Sequence, residues 1–155
     1  MKTRVRPARA ADAPRLTTIE AEANPNPWPA ARLSELCQAE PASSSRGWVY
    51  EEDDETCGFV FTQQVLDEVT LLNIAVASAC RRRGLGASLL RAVLKEARAS
   101  GATRCLLEVR RSNLPAIALY EGMGFALDGV REGYYRGEQG PEDALLMSLE
   151  LEESA

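Results

Sequence analysis

Residues 81–87 read RRRGLGA: three arginines, then two glycines one residue apart, directly ahead of an apolar helical pattern. A helix start carries unpaired backbone N–H groups and a partial positive charge, and glycines let a ligand approach that backbone. With cationic side chains added, the natural guest is a phosphate. A P-loop would need G-x-x-x-x-G-K-[ST], which is missing. A dinucleotide-binding turn is the closer rival, because Gly84 and Gly86 stand between a strand and a helix and Glu108 follows about 20 residues on. Its third glycine position is Leu89, however, and only one strand-helix-strand unit is present.

The second group with chemical promise is Glu108, in the segment RCLLEVR. In an extended strand it shares a face with Leu106, while Cys105, Leu107 and Val109 take the other, so a carboxylate interrupts an otherwise apolar strand. Partial burial there is expected to raise its pKa toward the range useful for a general base. The ordinary alternative is a strand-end glutamate in solvent or paired with an arginine. Tyr120, at helical spacing from Ala116 and Ile117, reads by itself as core packing.

The chain holds no histidine, so a Cys–His nucleophile is excluded and any acid or base must be a carboxylate, tyrosine, lysine, cysteine or terminal amine. Cys37, Cys57, Cys80 and Cys105 form no Cys-x-x-Cys spacing. They read as thiols in a reducing compartment, and no metal site is expected. A net charge of −5 argues against nucleic-acid binding and favours a basic partner. Neither a signal peptide nor a membrane span is evident, so a cytoplasmic protein without a membrane partner is expected.

These groups need elements to position them. With 155 residues, 45% of them hydrophobic, residues 1–155 are expected to form one domain with a real core. TRVRPA reads as an opening strand, and Asp12 can cap a helix running to about Ala23 with Pro14 in its first turn. NPNPWP breaks the chain and leaves Trp28 in a loop before a short helix, AARLSELCQAE. GWVYEE and CGFVFTQQV flank the acidic DDE as a hairpin, and EVTLLNIAVA is a longer, nearly continuous apolar strand suited to the middle of a sheet. Leu85, Leu89, Leu90, Val93, Leu94 and Ala97 mark one face of the next helix, which leads to the buried strand RCLLEV and a parallel pairing. Asn113 can cap a further short helix with Pro115 in its first turn. GFALDGV and DALLMSLEL close the chain as strands, joined by the polar tract REGYYRGEQGPE. The expected order is β-α-α-β-β-β-α-β-α-β-β.

RRRGLGASLL resembles the R/Q-x-x-G-x-G/A pyrophosphate loop of the GNAT superfamily of acetyl-CoA-dependent N-acetyltransferases, and the element order is similar to that fold along nearly the whole chain. LDEVTLLNIAV, LEVRRSNLPAIALYEGMGF and the GYY…EDALLM ending are similar, in order and spacing, to segments of the RimI-type ribosomal-protein alanine N-acetyltransferases. The resemblance implies an α/β (α+β) fold with a mixed central sheet of about seven strands, splayed at the acetyl-CoA site, and about four flanking helices. It implies that amides of Arg82, Arg83, Gly84, Leu85, Gly86 and Ala87 wrap the coenzyme pyrophosphate. Ile74, Ala75 and Val76 would pair with the pantetheine arm like an added strand, and Asn113 would lie beside the coenzyme. Glu108 takes the base position and Tyr120 that of the proton donor to the departing thiolate.

For the acceptor, Trp28 and the pair Tyr134 and Tyr135 are expected in loops flanking the groove, with Glu142 and Asp143 able to meet a basic substrate. The resemblance implies the N-terminal alanine of a small-subunit ribosomal protein, the one numbered eighteen, acetylated by a monomer or weak dimer. Other protein N-termini, a lysine or a small amine remain open as acceptors, as does a non-catalytic acyl-CoA-binding module. Asn26 and Pro29 depart from the family's usual residues around its Pro-Trp, which leaves peptide preference open.

Overall fold

The computed structural model describes residues 2–40, 43–81, 83–137 and 140–151. Strand β1 (Thr3–Pro7) leads through a 3-10 turn at Ala10–Asp12 into α1 (Ala13–Ala23), and α2 (Ala30–Cys37) follows. Strands β2 (Ser45–Glu52), β3 (Glu55–Val65) and β4 (Glu68–Val76) form an antiparallel meander with β1. A 3-10 turn at Ser78–Cys80 precedes α3 (Leu85–Ala99); β5 (Arg104–Arg110), α4 (Leu114–Gly122), β6 (Ala126–Gly137) and β7 (Gly140–Glu150) complete the order. The seven strands form one mixed sheet in the order β1-β2-β3-β4-β5-β7-β6, with β4 and β5 parallel. Order and sheet are those the sequence predicts, and the fold is α/β (α+β).

Local chemistry explains several boundaries. Asp53 and Asp54 take φ of 49° and 68°, the left-handed pair of a type I′ turn, so the β2–β3 hairpin closes on two residues. Asp12 does not cap α1 as expected. Its carboxylate accepts from the Arg6 guanidinium at 2.7 and 2.8 Å and from the Arg9 N–H at 2.7 Å, and Arg6 also bonds Glu51. The helix α2 ends at Cys37, short of the predicted Glu40.

Two cores flank the sheet. Leu16, Ile19 and Leu33 of α1 and α2 bury Val49, Phe59 and Phe61 on one face. On the other, the stripe Leu89, Leu90, Val93, Leu94 and Ala97 of α3 covers Val60, Val69, Leu71, Cys105 and Leu107, joined by Tyr120 and Phe125.

The pairing of β4 with β5 is short. It runs only from Glu68↔Arg104 to Leu71↔Leu107, after which the parallel strands separate. The separation coincides with a bulge on β4: Phe61 of β3 pairs with Asn73 and Thr62 with Leu71, so Leu72 is the extra residue. Residues 73–76 stay paired with β3 on one side and leave their other edge free of β5.

Candidate active site

Three structures meet where β4 and β5 part: the free edge of β4, the start of α3 and the outer half of β5. Ile74 and Val76 on the free edge are half-buried and Ala75 is buried, so this edge is apolar in side chains and polar in backbone. An extended ligand with amide groups would find unpaired N–H and C=O groups along it.

Gly84 precedes α3 with φ 73° and ψ 17°, a left-handed conformation that a β-carbon would disfavour. No side chain caps this helix, and the first bond closing it is the Ser88 N–H to the Gly84 carbonyl at 3.1 Å. The N–H groups of Leu85, Gly86 and Ala87 therefore project from the helix start, as an anion requires. A β-carbon on Gly86 would stand 3.5 Å from Leu119 Cδ2 and 3.9 Å from Val76 Cγ2, so this turn packs between β4 and α4. The arginines are not equivalent. Arg81 Nε donates to the Val76 carbonyl at 3.2 Å, Arg83 pairs with Glu52 of β2 at 3.1 Å, and Arg82 lies outside the described residues.

Among the described residues, one group has metal-ligand character: Glu52, Cys57 and Cys80, all buried, with ligand atoms within 4.8 Å of one another. Arg83 already neutralises the carboxylate. Burial, with hydrogen bonding to Cys80 second, pushes the Cys57 thiol up to about 12, away from the thiolate a metal needs.

Glu108 is the first residue of β5 beyond its last pair with β4, so it stands at the point of divergence. The register puts it on the α1/α2 side of the sheet, opposite the face of β5 that packs into the α3 core. Its side chain is 35% exposed, with Oε1 3.4 Å from Arg131 Nη1. The burial expected from its apolar strand is thus not found, because the covered face of β5 is the one bearing Cys105, Leu107 and Val109. Arg131, on β6, was missed by the sequence reading: it opens the tract taken for a loop.

That tract is strand. Tyr134 and Tyr135 lie within β6, which continues to Gly137, and residues 132–134 bulge from the ladder between the pairs Arg131↔Ala144 and Tyr135↔Glu142. The rings meet edge to face at 5.2 Å, with the Arg131 guanidinium 4.7 Å over Tyr134 and the Arg110 guanidinium 4.3 Å over Tyr135. Burial, with nearby Glu108 second, raises the Tyr135 phenol above its ordinary pKa. Glu142 and Asp143 are not free to meet a basic substrate. Glu142 accepts from Arg110 at 3.4 Å and the Ser112 N–H at 2.7 Å, and Asp143 accepts from Arg111 at 3.3 Å and the Gly133 N–H at 3.0 Å.

Tyr120 sits on α4 at 6% exposure, its ring 5.7 Å from that of Phe125. Among the described residues none hydrogen bonds to its hydroxyl, and burial raises its pKa well above the ordinary phenol value. It is both a core residue and a phenol that stays protonated. Asn113 caps α4 as predicted, its Oδ1 accepting from the Ala116 N–H at 3.3 Å, and it is exposed at the mouth of the splay.

Trp28 is half-buried in the turn before α2, 6.3 Å from the Phe61 ring, with the Arg32 guanidinium 4.3 Å over it. Its backbone N–H donates to Glu20 of α1 at 3.0 Å. A cavity of about 490 Å³, lined by Arg46, Trp48, Gln64, Leu66 and Glu96 among others, opens at the other end of β4 from Val76.

Residues 13–125 match the model of the acetyltransferase (GNAT) family. The chain is 48% identical over 99 residues to the ribosomal protein bS18-alanine N-acetyltransferase of Salmonella typhimurium, covering 64% of this chain and 67% of that one. It is 44% identical over 100 residues to the enzyme of the same name from Escherichia coli, covering 64% and 68%. The crystal structure of the Escherichia coli ribosomal-protein-S18-alanine N-acetyltransferase superposes with a TM-score of 0.89 at 34% identity, covering 99% of this chain and 97% of that one.

Proposed function

Because the chain belongs to the GNAT acetyltransferase family, in its RimI-type branch, it is an acyltransferase, and we propose that it moves an acetyl group from acetyl-CoA to the N-terminal alanine of ribosomal protein bS18. The observation that carries this reading is the splay itself. A free strand edge, an uncapped helix start and a carboxylate at the point of divergence occupy one cleft.

The amides of 82–87 hold the pyrophosphate, the edge Ile74–Val76 pairs with the pantetheine arm, and Asn113 flanks the coenzyme. A free α-amine has a pKa of about 7.7–8.0, so near neutral pH much of it is protonated and a base speeds the reaction. Glu108, directly or through one water, takes the proton from the acceptor amine, which attacks the thioester carbonyl. Amide N–H groups near Ala75 and Val76 stabilise the developing oxyanion. Tyr120 returns a proton to the departing thiolate, and no covalent enzyme intermediate is needed. Trp28 and the Tyr134–Tyr135 pair flank the acceptor segment, and Arg131 orients Glu108. The protein acts as one domain in the cytoplasm, as a monomer or weak dimer, without metal, membrane or nucleic acid. Among the described residues no helix is long and apolar enough to cross a membrane.

The test is direct. Purified protein, acetyl-CoA and the ribosomal proteins of the same cell are mixed, and intact masses are followed. One acetyl group on the alanine terminus of bS18 is the expected result. Acetylation that persists on a terminally blocked peptide, located on lysine, overturns the N-terminal assignment.

A further inference from the structure

A second carboxyl group, buried between α1 and the sheet, has no part in the chemistry above. Glu20 lies in α1 on the same stripe as Leu16 and Ile19, where an apolar residue would be routine. It is 1% exposed. Its Oε2 accepts two hydrogen bonds, from the Trp28 N–H at 3.0 Å and from Asn73 Nδ2 at 2.9 Å; its Oε1 is buried with no partner among the described residues. A buried carboxyl with an open oxygen is a poor way to stabilise a core, since desolvation commonly exceeds what the contacts return.

The partners give the arrangement a purpose. Asn73 is the first paired residue of β4 after the bulge and precedes Ile74, where the free edge begins its run along the splay. Trp28 belongs to the turn between α1 and α2. Asn73 reaches α1, so it projects from the sheet face that also carries Glu108. Glu20 is thus one rigid link between the β4 bulge and the turn holding Trp28.

We infer that Glu20 is a positioning residue for the acceptor: it fixes the Trp28 turn against Asn73, and so sets where a bound peptide terminus lies relative to a thioester on the β4 edge. This rests on the reading of Trp28 as a wall of the acceptor groove. Transfer requires the attacking nitrogen within about 3–3.5 Å of the carbonyl carbon, so a small drift of that wall is costly.

The substitutions Glu20→Ala and Glu20→Gln separate this role from simple packing. Glu20→Ala removes the link; the expected result is a KM for a basic, alanine-initiated peptide raised roughly tenfold or more, with coenzyme A affinity by calorimetry within about twofold of wild type. In Glu20→Gln one amide faces two donors, so peptide KM rises while the shape of the core is kept. Adding Asn73→Asp restores the pattern, because the carboxylate introduced on β4 accepts from the new amide NH₂ while the amide oxygen still accepts from Trp28. The double variant is expected to recover peptide KM.

Unchanged peptide KM in the folded Gln variant, a parallel loss of coenzyme affinity, or failure of the double variant to recover would each overturn the inference. If Glu20→Ala does not fold, the Gln and double variants decide. Wild-type protein inert toward the peptide would instead overturn the acceptor reading on which the inference stands.

Discussion

Replacing Tyr120 by phenylalanine is expected to give a protein of near wild-type stability at neutral pH and a slower catalyst. The ring is buried and packed 5.7 Å from Phe125, so its volume is needed; the hydroxyl has no hydrogen-bond partner among the described residues. That oxygen still reaches solvent, since the buried side-chain oxygens and nitrogens without a partner among the described residues are Glu20 Oε1 and Arg104 Nε, and a hydroxyl that keeps water as its partner carries no such desolvation penalty. Removing it is therefore expected to leave stability at neutral pH within about 0.5 kcal/mol of wild type, or about 1–2 °C in Tm for a domain of this size.

The sign depends on pH. Burial holds the Tyr120 pKa above the unfolded value of about 10. Stability linked to this group is fully present below pH 10 and is lost as pH rises toward the folded pKa, by about 1.4 kcal/mol per pH unit. The phenylalanine variant lacks that loss, so it becomes the more stable of the two above pH 10. Turnover, followed as free coenzyme A thiol, is expected to fall by about 10²-fold or more, the scale for a positioned acid. Thermal melts without ligand and steady-state rates test both halves. A lower Tm with unchanged turnover would refute the reasoning, since the hydroxyl would then be a structural bond and solvent the proton source.

Glu108→Gln is expected to lower turnover roughly 10²-fold with little change in coenzyme affinity, and unchanged turnover from pH 6 to 9 would remove the base assignment. Gly86→Val puts a branched side chain at the helix start, where a β-carbon alone already reaches van der Waals contact with Leu119 and Val76, and calorimetry should show weakened coenzyme A binding in a folded protein. Arg6→Met leaves the buried carboxylates of Asp12 and Glu51 without their shared cation, and denaturant melts at pH 7 should show a loss of about 3–5 kcal/mol. Arg6, first by hydrogen bonding, holds both carboxyls below their usual range, so the wild-type contribution is present above about pH 4 and fades as pH falls. The variant should lose that acid dependence.

The element order was legible because each boundary carries a local signal. Pro14 and Pro115 open helices, Asp53 and Asp54 turn a hairpin, and a 3.6-residue stripe runs down α3. Alternation along β5 also put Glu108 on the face with Leu106, opposite Cys105, Leu107 and Val109. The degree of its cover was not legible, because cover is set by which helices reach the far half of the sheet. The same limit hid the true length of β6: pairing with β7 resumes at Tyr135 and runs to Gly137, in a polar tract whose composition alone reads as loop. Glu142 and Asp143 looked free because their partners, Arg110 and Arg111, lie about 30 residues away in the chain. Two polar residues did leave a trace: Glu20 interrupts an apolar helical stripe, and Asn73 an apolar strand.

The four-pair seam between β4 and β5 also bears on how the chain assembles. Strands β1–β4 are bonded as a meander with its longest loop between β1 and β2, and β5–β7 close among themselves. Each block can form its ladders at modest loop-closure entropy, while the seam waits for α3 to dock across it. The last joint to close in folding is then the first to open in the native state, and its free edge is the one a ligand would occupy. Coenzyme A would act as a splint, slowing amide exchange on both sides of the seam and raising resistance to proteolysis in proportion to its saturation.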